Sequence, residues 1–168
     1  MRDEWRAEQE AAGRDAQEHW RHTRSLVDVA IGWQHRGDGI EVVLPAVRFR
    51  GTVEEVAPDL LALRTESGRV DVHLAGAAVP TVRVVAPASA GGHRTGQATG
   101  GFRAALLARE GRAVVLGTAV DPEPWRGMLA VGRDHVVVQT GDAPPAYVPV
   151  AALTYVASAE ASPGRPGT

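Results

Sequence analysis

One unit of sequence occurs twice in this chain of 168 residues, at residues 49–65 and again at residues 125–140. Each copy reads aromatic, Arg, Gly, an apolar strand, a turn ending in Asp, and an apolar strand closed by Thr. The stretch from the Gly to the Asp is one residue longer in the first copy, and we expect the extra residue in the turn. The rest of the chain is organised as two elaborations of this unit, so the sequence predicts a duplicated fold.

Short Val-rich segments separated by Pro, Gly and Asp predict β-strands in both halves. A break in the alternation at residues 53–56 predicts a bulge that bends one long strand. Short, bent, antiparallel strands of this kind are typical of a small barrel. The predicted strands are Ile40–Leu44, Arg48–Val56, Leu60–Thr65, Val70–Leu74 and Thr81–Val85, and then Ala113–Leu116, Gly127–Val131, Asp134–Thr140, Ala146–Val150 and Leu153–Val156.

A short helix is predicted before the strands of each half. Ser25 and Asp28 have the spacing of a capping box, with Asp in place of the usual Glu, and they open a helix over residues 26–35 that Gly37 ends. The second helix covers residues 101–109, and its apolar positions lie on one face.

The mixed charge of residues 3–24 predicts a further, N-terminal helix. Its Trp5 and Trp20 either dock on the first barrel or bind a partner or a second copy. The resulting division is an N-terminal helical arm at 1–24, a first barrel at 25–85, a flexible linker at 86–100, a second barrel at 101–157, and a disordered tail at 158–168.

Composition narrows the classes of partner. The formal net charge is −2 and the pI is near 6.3, so the chain lacks the basic balance typical of a nucleic-acid-binding protein. We expect no membrane partner, because no apolar run approaches the ~18 residues that a span needs. The start lacks the apolar core of a secretion signal, which predicts a cytoplasmic location. Without Cys, Lys or Asn, any bound anion must be held by Arg, His or backbone N–H groups.

The order of a helix and five short strands, found twice, resembles that of Sm-like barrels, a kind of SH3-like barrel. The Gly-x-apolar spacing, the turn ending in Asp and the following apolar alternation also resemble the first Sm signature. Each half, over residues 26–85 and 102–156, therefore resembles a divergent Sm/Hfq-like domain, and the whole chain resembles actinobacterial proteins with tandem domains of this kind. The resemblance implies a mainly β fold of two tandem five-stranded antiparallel barrels, each preceded by a short helix.

The RNA site of the family is not carried over. Sm-like RNA binders read bases with an Asn after the first signature, and this chain has no Asn. Leu61 or Ala62 stands at that position in the first half, and Val136 or Val137 in the second. Fold resemblance alone does not transfer the function.

Arginines offer another way to contact nucleic acid, because guanidinium groups bind phosphate. Acidic residues, including Glu54, Glu55 and Asp71, are interleaved with them, so surface ion pairing is the favoured interpretation of the same residues. The candidate contacts are Arg48, Arg50, Arg64, Arg126 and Arg133.

The sequence contains no motif for catalysis or metal binding. There is no nucleophile elbow, no phosphate-binding Gly-Lys-Thr loop and no pair of carboxylates in an apolar context. The repeated Asp59 and Asp134 are predicted to bond local N–H groups in their turns. His19 and His22 have a possible zinc spacing without a third ligand. We therefore predict no catalytic residues, metal or cofactor.

Three functions follow as hypotheses. The first is a non-enzymatic binding or assembly module with barrel edges that seek partners. Its two barrels either pair with each other in one chain or continue into a ring with other chains. The second is a regulator that binds RNA or DNA through an Arg-lined face. The third is a small-molecule or enzymatic role in a groove between the barrels, which requires a deep pocket with convergent polar groups.

Overall fold

The computed structural model describes residues 22–88 and 100–160, together with positions 13 and 19. Within these ranges the protein is mainly β, and each half is a helix followed by five strands. The first half comprises α1 (Leu26–Arg36), β1 (Gly39–Val43), β2 (Arg48–Ala57), β3 (Leu60–Thr65), β4 (Gly68–His73) and β5 (Thr81–Ala86). The second comprises α2 (Phe102–Leu107), β6 (Ala113–Thr118), β7 (Trp125–Val131), β8 (His135–Gln139), β9 (Ala146–Pro149), a short 3-10 helix (Val150–Ala152) and β10 (Leu153–Ser158).

The predicted order of elements is confirmed, and every predicted end lies within two residues of the observed one. Most of the N-terminal arm, including Trp5 and Trp20, lies outside the described residues, although residues 13, 19, 22 and 23 are helical. The linker between 88 and 100 and the tail after 160 also lie outside them.

The predicted capping box of α1 is confirmed. The Asp28 N–H donates to Ser25 Oγ over 3.2 Å, and the Ser25 N–H donates to Asp28 Oδ2 over 2.9 Å. Ser25 Oγ also donates to Asp28 Oδ2 over 2.7 Å, and this bond, together with that from the Ser25 N–H, holds the pKa of Asp28 below its usual value. Gly37 ends the helix in the left-handed conformation, with φ of 76°, as expected for a residue without a Cβ. Ala30 and Trp33 form the buried face of α1.

The strands form one continuous antiparallel sheet of ten strands, in the order β5-β1-β2-β3-β4-β10-β6-β7-β8-β9. This corrects the prediction of two closed barrels, because the sheet is continuous and does not close. The two halves have the same internal order, with β10 in the place of β5 and β9 in the place of β4. The halves join because β10 pairs with β4 of the first half: Val70, Asp71 and Val72 lie opposite Ala157, Val156 and Tyr155.

Opposite faces of this sheet support two different cores. On β3, Leu61 and Leu63 enter the first core, whereas Leu60 points into the second. On β10, Tyr155 enters the first core and Val156 the second. Successive side chains of a strand point to opposite faces, so a strand buried on both faces needs an unbroken apolar run. This accounts for the run of four buried residues at the start of β3.

The extra residue of the first copy lies in β2, which corrects its predicted place in the turn. The register of β2 against β3 shifts between Val53 and Glu55, so Glu54 is the bulged residue and the predicted bulge is confirmed. Val56 follows Gly51 by five residues, whereas its counterpart Val131 follows Gly127 by four. Both valines precede the Asp of their turn by three residues. The two turns are therefore of equal length.

The repeated glycines mark a close approach between strands. A Cβ on Gly51 would lie 2.2 Å from the carbonyl oxygen of Arg64, and one on Gly127 would lie 2.3 Å from that of Gln139. Both positions thus exclude any side chain because a neighbouring backbone occupies the space. The glycine of the unit is therefore repeated because the close approach of the two strands is repeated.

Candidate functional site

Two of the five candidate arginines face a carboxylate. Arg50 Nε donates to Glu41 Oε1 over 2.8 Å, and Arg83 Nε donates to Glu41 Oε2 over 2.6 Å. Glu41 is only 1% exposed, and the bond from Arg50, helped by Arg83, outweighs its burial and lowers its pKa. Arg64 pairs with Glu54, the bulged residue of β2.

The other three candidates are exposed without an ion pair. Arg48 lies two residues before Arg50 on β2, and Arg126 occupies on β7 the position that matches Arg50. Arg133 lies in the turn between β7 and β8. Among the described residues, no carboxylate lies within ion-pair distance of these three arginines. Nucleic-acid contact by the five residues stays a prediction.

Asp59 connects the two halves, which corrects its predicted role in local turn bonding. Its Oδ1 accepts a 3.0 Å hydrogen bond from the N–H of Phe102, the first residue of α2. Gly101 lies so close that a Cβ there would be 2.1 Å from the same oxygen. The imidazole of His73 stacks on the Phe102 ring at 4.3 Å and donates from Nδ1 to the Leu153 carbonyl over 3.0 Å. The first half therefore supplies the cap of the second half's helix.

Asp134 holds the matching position in the second half and has no helix to cap in the described chain. Its Oδ1 contacts His135 Nδ1 at 2.9 Å, and this bond lowers the pKa of Asp134. The carboxylate is 88% exposed. Its bonding is local, as predicted, although the main contact is a neighbouring side chain.

A buried ion network lies where the halves meet. Asp71 was predicted to be a surface acid, but it is fully buried because β10 pairs beside it. Its Oδ1 accepts from Arg69 Nε over 2.9 Å, and its Oδ2 lies within ion-pair distance of Arg109 Nη2 but lacks hydrogen-bond geometry. Arg69 also pairs with Glu55. Burial would lower the pKa of Arg69, but Asp71 and Glu55 together raise it.

This network forms part of a groove of about 750 Å³ between the two halves. Arg69 and Glu55 line it from the first half, and Arg109, Arg112 and Glu160 from the second. Small residues of α2 and its flanks complete the wall. A groove between the halves was the third hypothesis, but the sequence did not reveal the residues that line it, because its arginines come from segments about 40 residues apart. The only local signal is Arg69-x-Asp71, whose spacing puts both side chains on one face of β4.

No group of three or more potential metal ligands occurs among the described residues, and His19, His22 and His35 are exposed. None of the helices in those ranges has the length and apolar character of a membrane span. The cytoplasmic location and the non-enzymatic role stay predictions.

The outer strands of the ten-stranded sheet are β5 and β9. Within the described ranges, β5 pairs only with β1, and β9 pairs only with β8. Both edges carry exposed apolar side chains: Val84 and Val85 on β5 are 39% and 43% exposed, and Tyr147 on β9 is 68% exposed. These edges are the positions that β10 and β4 occupy in the internal junction.

Comparison of the chain with protein-family models and with curated proteins gave no match.

Proposed function

We propose that this chain is a non-enzymatic assembly module of two Sm-like units whose free sheet edges join copies head to tail. The observation that carries the proposal is the junction of β4 with β10. The second half's β9 is equivalent to β4, and the first half's β5 is equivalent to β10. A chain that already joins its halves in this way has one edge of each kind left to join to another copy.

The internal junction supplies a register for the contact between copies. On β9, Val148 pairs with Val136 of β8 in the same way that Val72 of β4 pairs with Leu61 of β3. On the other edge, β5 pairs with β1 in the register that β10 uses with β6. Transferring the junction to the free edges sets Val148 opposite Thr81, Tyr147 opposite Val82, and Ala146 opposite Arg83 of the next copy.

The contact between copies is expected to be weaker than the internal junction. The edge strand β9 has only four residues and ends at Pro149, which has no N–H to donate. On the other edge, Arg83 stands where the internal junction has Ala157, so a charged side chain replaces a small one. Association should therefore depend on protein concentration.

Cysteine pairs test the proposed register, since the chain has no Cys of its own. A chain carrying both Val82→Cys and Tyr147→Cys should form disulfide-linked dimers and longer ladders on mild oxidation. Each single variant should give at most one dimer band. Combining Val82→Cys with Met128→Cys, an exposed position on the inner strand β7, gives a matched control that should not form ladders.

Light scattering with mass detection on the unmodified chain tests association itself. The expected result is a mass that rises with concentration and exceeds that of one 17.7 kDa chain. A compact monomer at every concentration would contradict the proposal, as would equal cross-linking of the control pair.

Nucleic-acid binding is the second candidate, favoured by the exposed Arg48, Arg126 and Arg133, which have no carboxylate partner in the described chain. Binding to mixed RNA that weakens steeply with salt is the expected result, because Arg–phosphate contacts release counterions. No mobility shift at low salt would exclude it.

A further inference from the structure

We propose that the groove between the two halves binds a small organic phosphate of nucleotide size, held by Arg69, Arg109 and Arg112. This inference concerns a different surface from the sheet edges and does not depend on assembly.

The groove has more hydrogen-bond donors than acceptors. A guanidinium group carries five N–H donors and no acceptor. Arg109 uses Nη1 on the Ala105 carbonyl and directs Nη2 towards Asp71, and Arg69 uses Nε and Nη2 on Asp71 and Glu55. Arg112 has no side-chain acceptor among the described residues. The remaining N–H groups are available to a ligand that is rich in acceptors.

Two of the three arginines are held in place before any ligand binds. The Arg109 side chain is only 11% exposed and that of Arg69 is 35% exposed, and both contact the fully buried carboxylate of Asp71. Fixing these long side chains in the free protein reduces the entropy that binding would otherwise cost. Asp71 is therefore a positioning residue, and it neutralises part of their charge without occupying the groove.

The number of acceptor oxygens favours phosphate over carboxylate. The three Arg are balanced by Asp71, Glu55 and Glu160, so the groove is formally neutral, and displacing the exposed Glu160, which competes as an anion, leaves a formal charge of +1. A terminal phosphate has three acceptor oxygens for three guanidinium groups, whereas a carboxylate has two.

The size of the groove indicates more than a free ion. Its volume of about 750 Å³ lies in the usual range for small-molecule pockets. Apart from the charged residues, Leu60 and Val114, the wall consists of small residues, among them Gly100, Gly101 and Ala104. These residues leave room for a sugar or a base beside the phosphate.

Calorimetry and thermal shift on the full chain, with adenosine monophosphate, inorganic phosphate and adenosine as probes, test the proposal. The nucleotide should bind and raise the Tm, adenosine should not, and inorganic phosphate should bind more weakly than the nucleotide. Arg112→Ala should weaken nucleotide binding roughly tenfold or more, because it removes charge-assisted hydrogen bonds. Glu160→Gln should tighten binding, because it removes the competing anion.

Arg103→Ala is the matched control, since Arg103 lies on α2 but does not line the groove, and it should bind as the unmodified chain does. Arg112 is exposed, so its variant should keep the unliganded Tm. The proposal would be overturned if neither phosphate compound bound at concentrations up to about 10 mM, because a specific site has a Kd below that concentration. Equal weakening by Arg103→Ala, or equal binding of adenosine, would also overturn it. Equal affinity for phosphate and nucleotide would overturn the assignment of size.

Discussion

Glu41 is the residue whose surroundings differ most from what its type suggests. Its carboxylate is buried, yet the two arginines that bind it remain largely exposed, with side chains 72% and 58% exposed. The guanidinium groups thus keep their hydration while satisfying both oxygens of the acid. This arrangement avoids part of the cost of burying both members of an ion pair.

The lowered pKa of Glu41 predicts acid sensitivity. A carboxyl group whose folded pKa lies below its unfolded value stabilises the fold above the unfolded pKa, and this contribution is lost as the pH falls through the folded pKa. The free energy of unfolding should therefore decrease as the pH drops below the ordinary value of 4.5. Glu41→Gln should be less stable than the unmodified chain at pH 7 and should lose less stability on acidification. Urea midpoints between pH 7 and pH 3 would measure both effects.

Asp28, Asp38 and Asp134 also have lowered pKa values, so Glu41→Gln should reduce the acid sensitivity without abolishing it. Glu66→Gln, at an exposed position in the β3–β4 turn, is the control and should follow the unmodified chain. An acid slope of Glu41→Gln equal to that of the unmodified chain would contradict the prediction.

The burial of Glu41 and Asp71 could not be predicted from the sequence. Alternation identifies which residues share a face of a strand, but burial also depends on which strand lies beside it. Arg83 reaches Glu41 from a strand about 40 residues later, and Arg109 reaches Asp71 from the other half. Such partners are set by tertiary pairing, which a local pattern does not contain.

At the scale of the elements, the matched turns of the two halves have different roles. Asp59 caps α2, whereas Asp134 bonds its neighbour His135. A carboxylate at a helix N-terminus satisfies a free N–H and interacts favourably with the helix dipole. The helix of the second half therefore depends on a residue of the first.

This difference predicts unequal effects of the same substitution. Asp59→Ala should lower the free energy of unfolding by about 1 kcal/mol, since it leaves the Phe102 N–H without its partner. Asp134→Ala, the matched control, should change it by less than about 0.5 kcal/mol because the side chain is exposed. Urea unfolding at pH 7 measures both, and equal losses would show that the cap is not what stabilises α2.

The elements themselves were predictable, because each depends on neighbouring residues. The Ser25–Asp28 box, the stop at Gly37 and the bulge near Glu54 are all local, and all three are observed. Pairing of the two halves in one chain was expected only as an alternative to a ring of chains, and the strands that form the junction were not predicted. The local sequence pattern is the same whether the strands form two barrels or one continuous sheet. Only the pairing of β10 with β4 distinguishes the two arrangements.

At the scale of the whole molecule, the two cores are built on one sheet. Strands β3 and β10 give side chains to both cores, so loosening one core should disturb the other. We expect a single cooperative unfolding transition for both halves. Trp33 in the first half and Trp125 in the second are suitable reporters.

Single-Trp chains, with the remaining three Trp replaced by Phe, should unfold at the same urea concentration whether Trp33 or Trp125 is observed. Leu129→Ala in the second core should lower the free energy of unfolding by about 2–5 kcal/mol. It should move the Trp33 midpoint as far as the Trp125 midpoint. A shift seen only at Trp125 would mean that the halves unfold separately.

The bulge at Glu54 also determines how the two copies of the unit should be aligned. An inserted residue normally reverses every later side chain of a strand, but the bulge absorbs it, and Val56 and Val131 remain equivalent. If the gap is placed in the turn instead, Glu55 is aligned with Val131, and residues on opposite faces of their strands are treated as equivalent. A gap placed at Glu54 keeps matching faces of the two strands together.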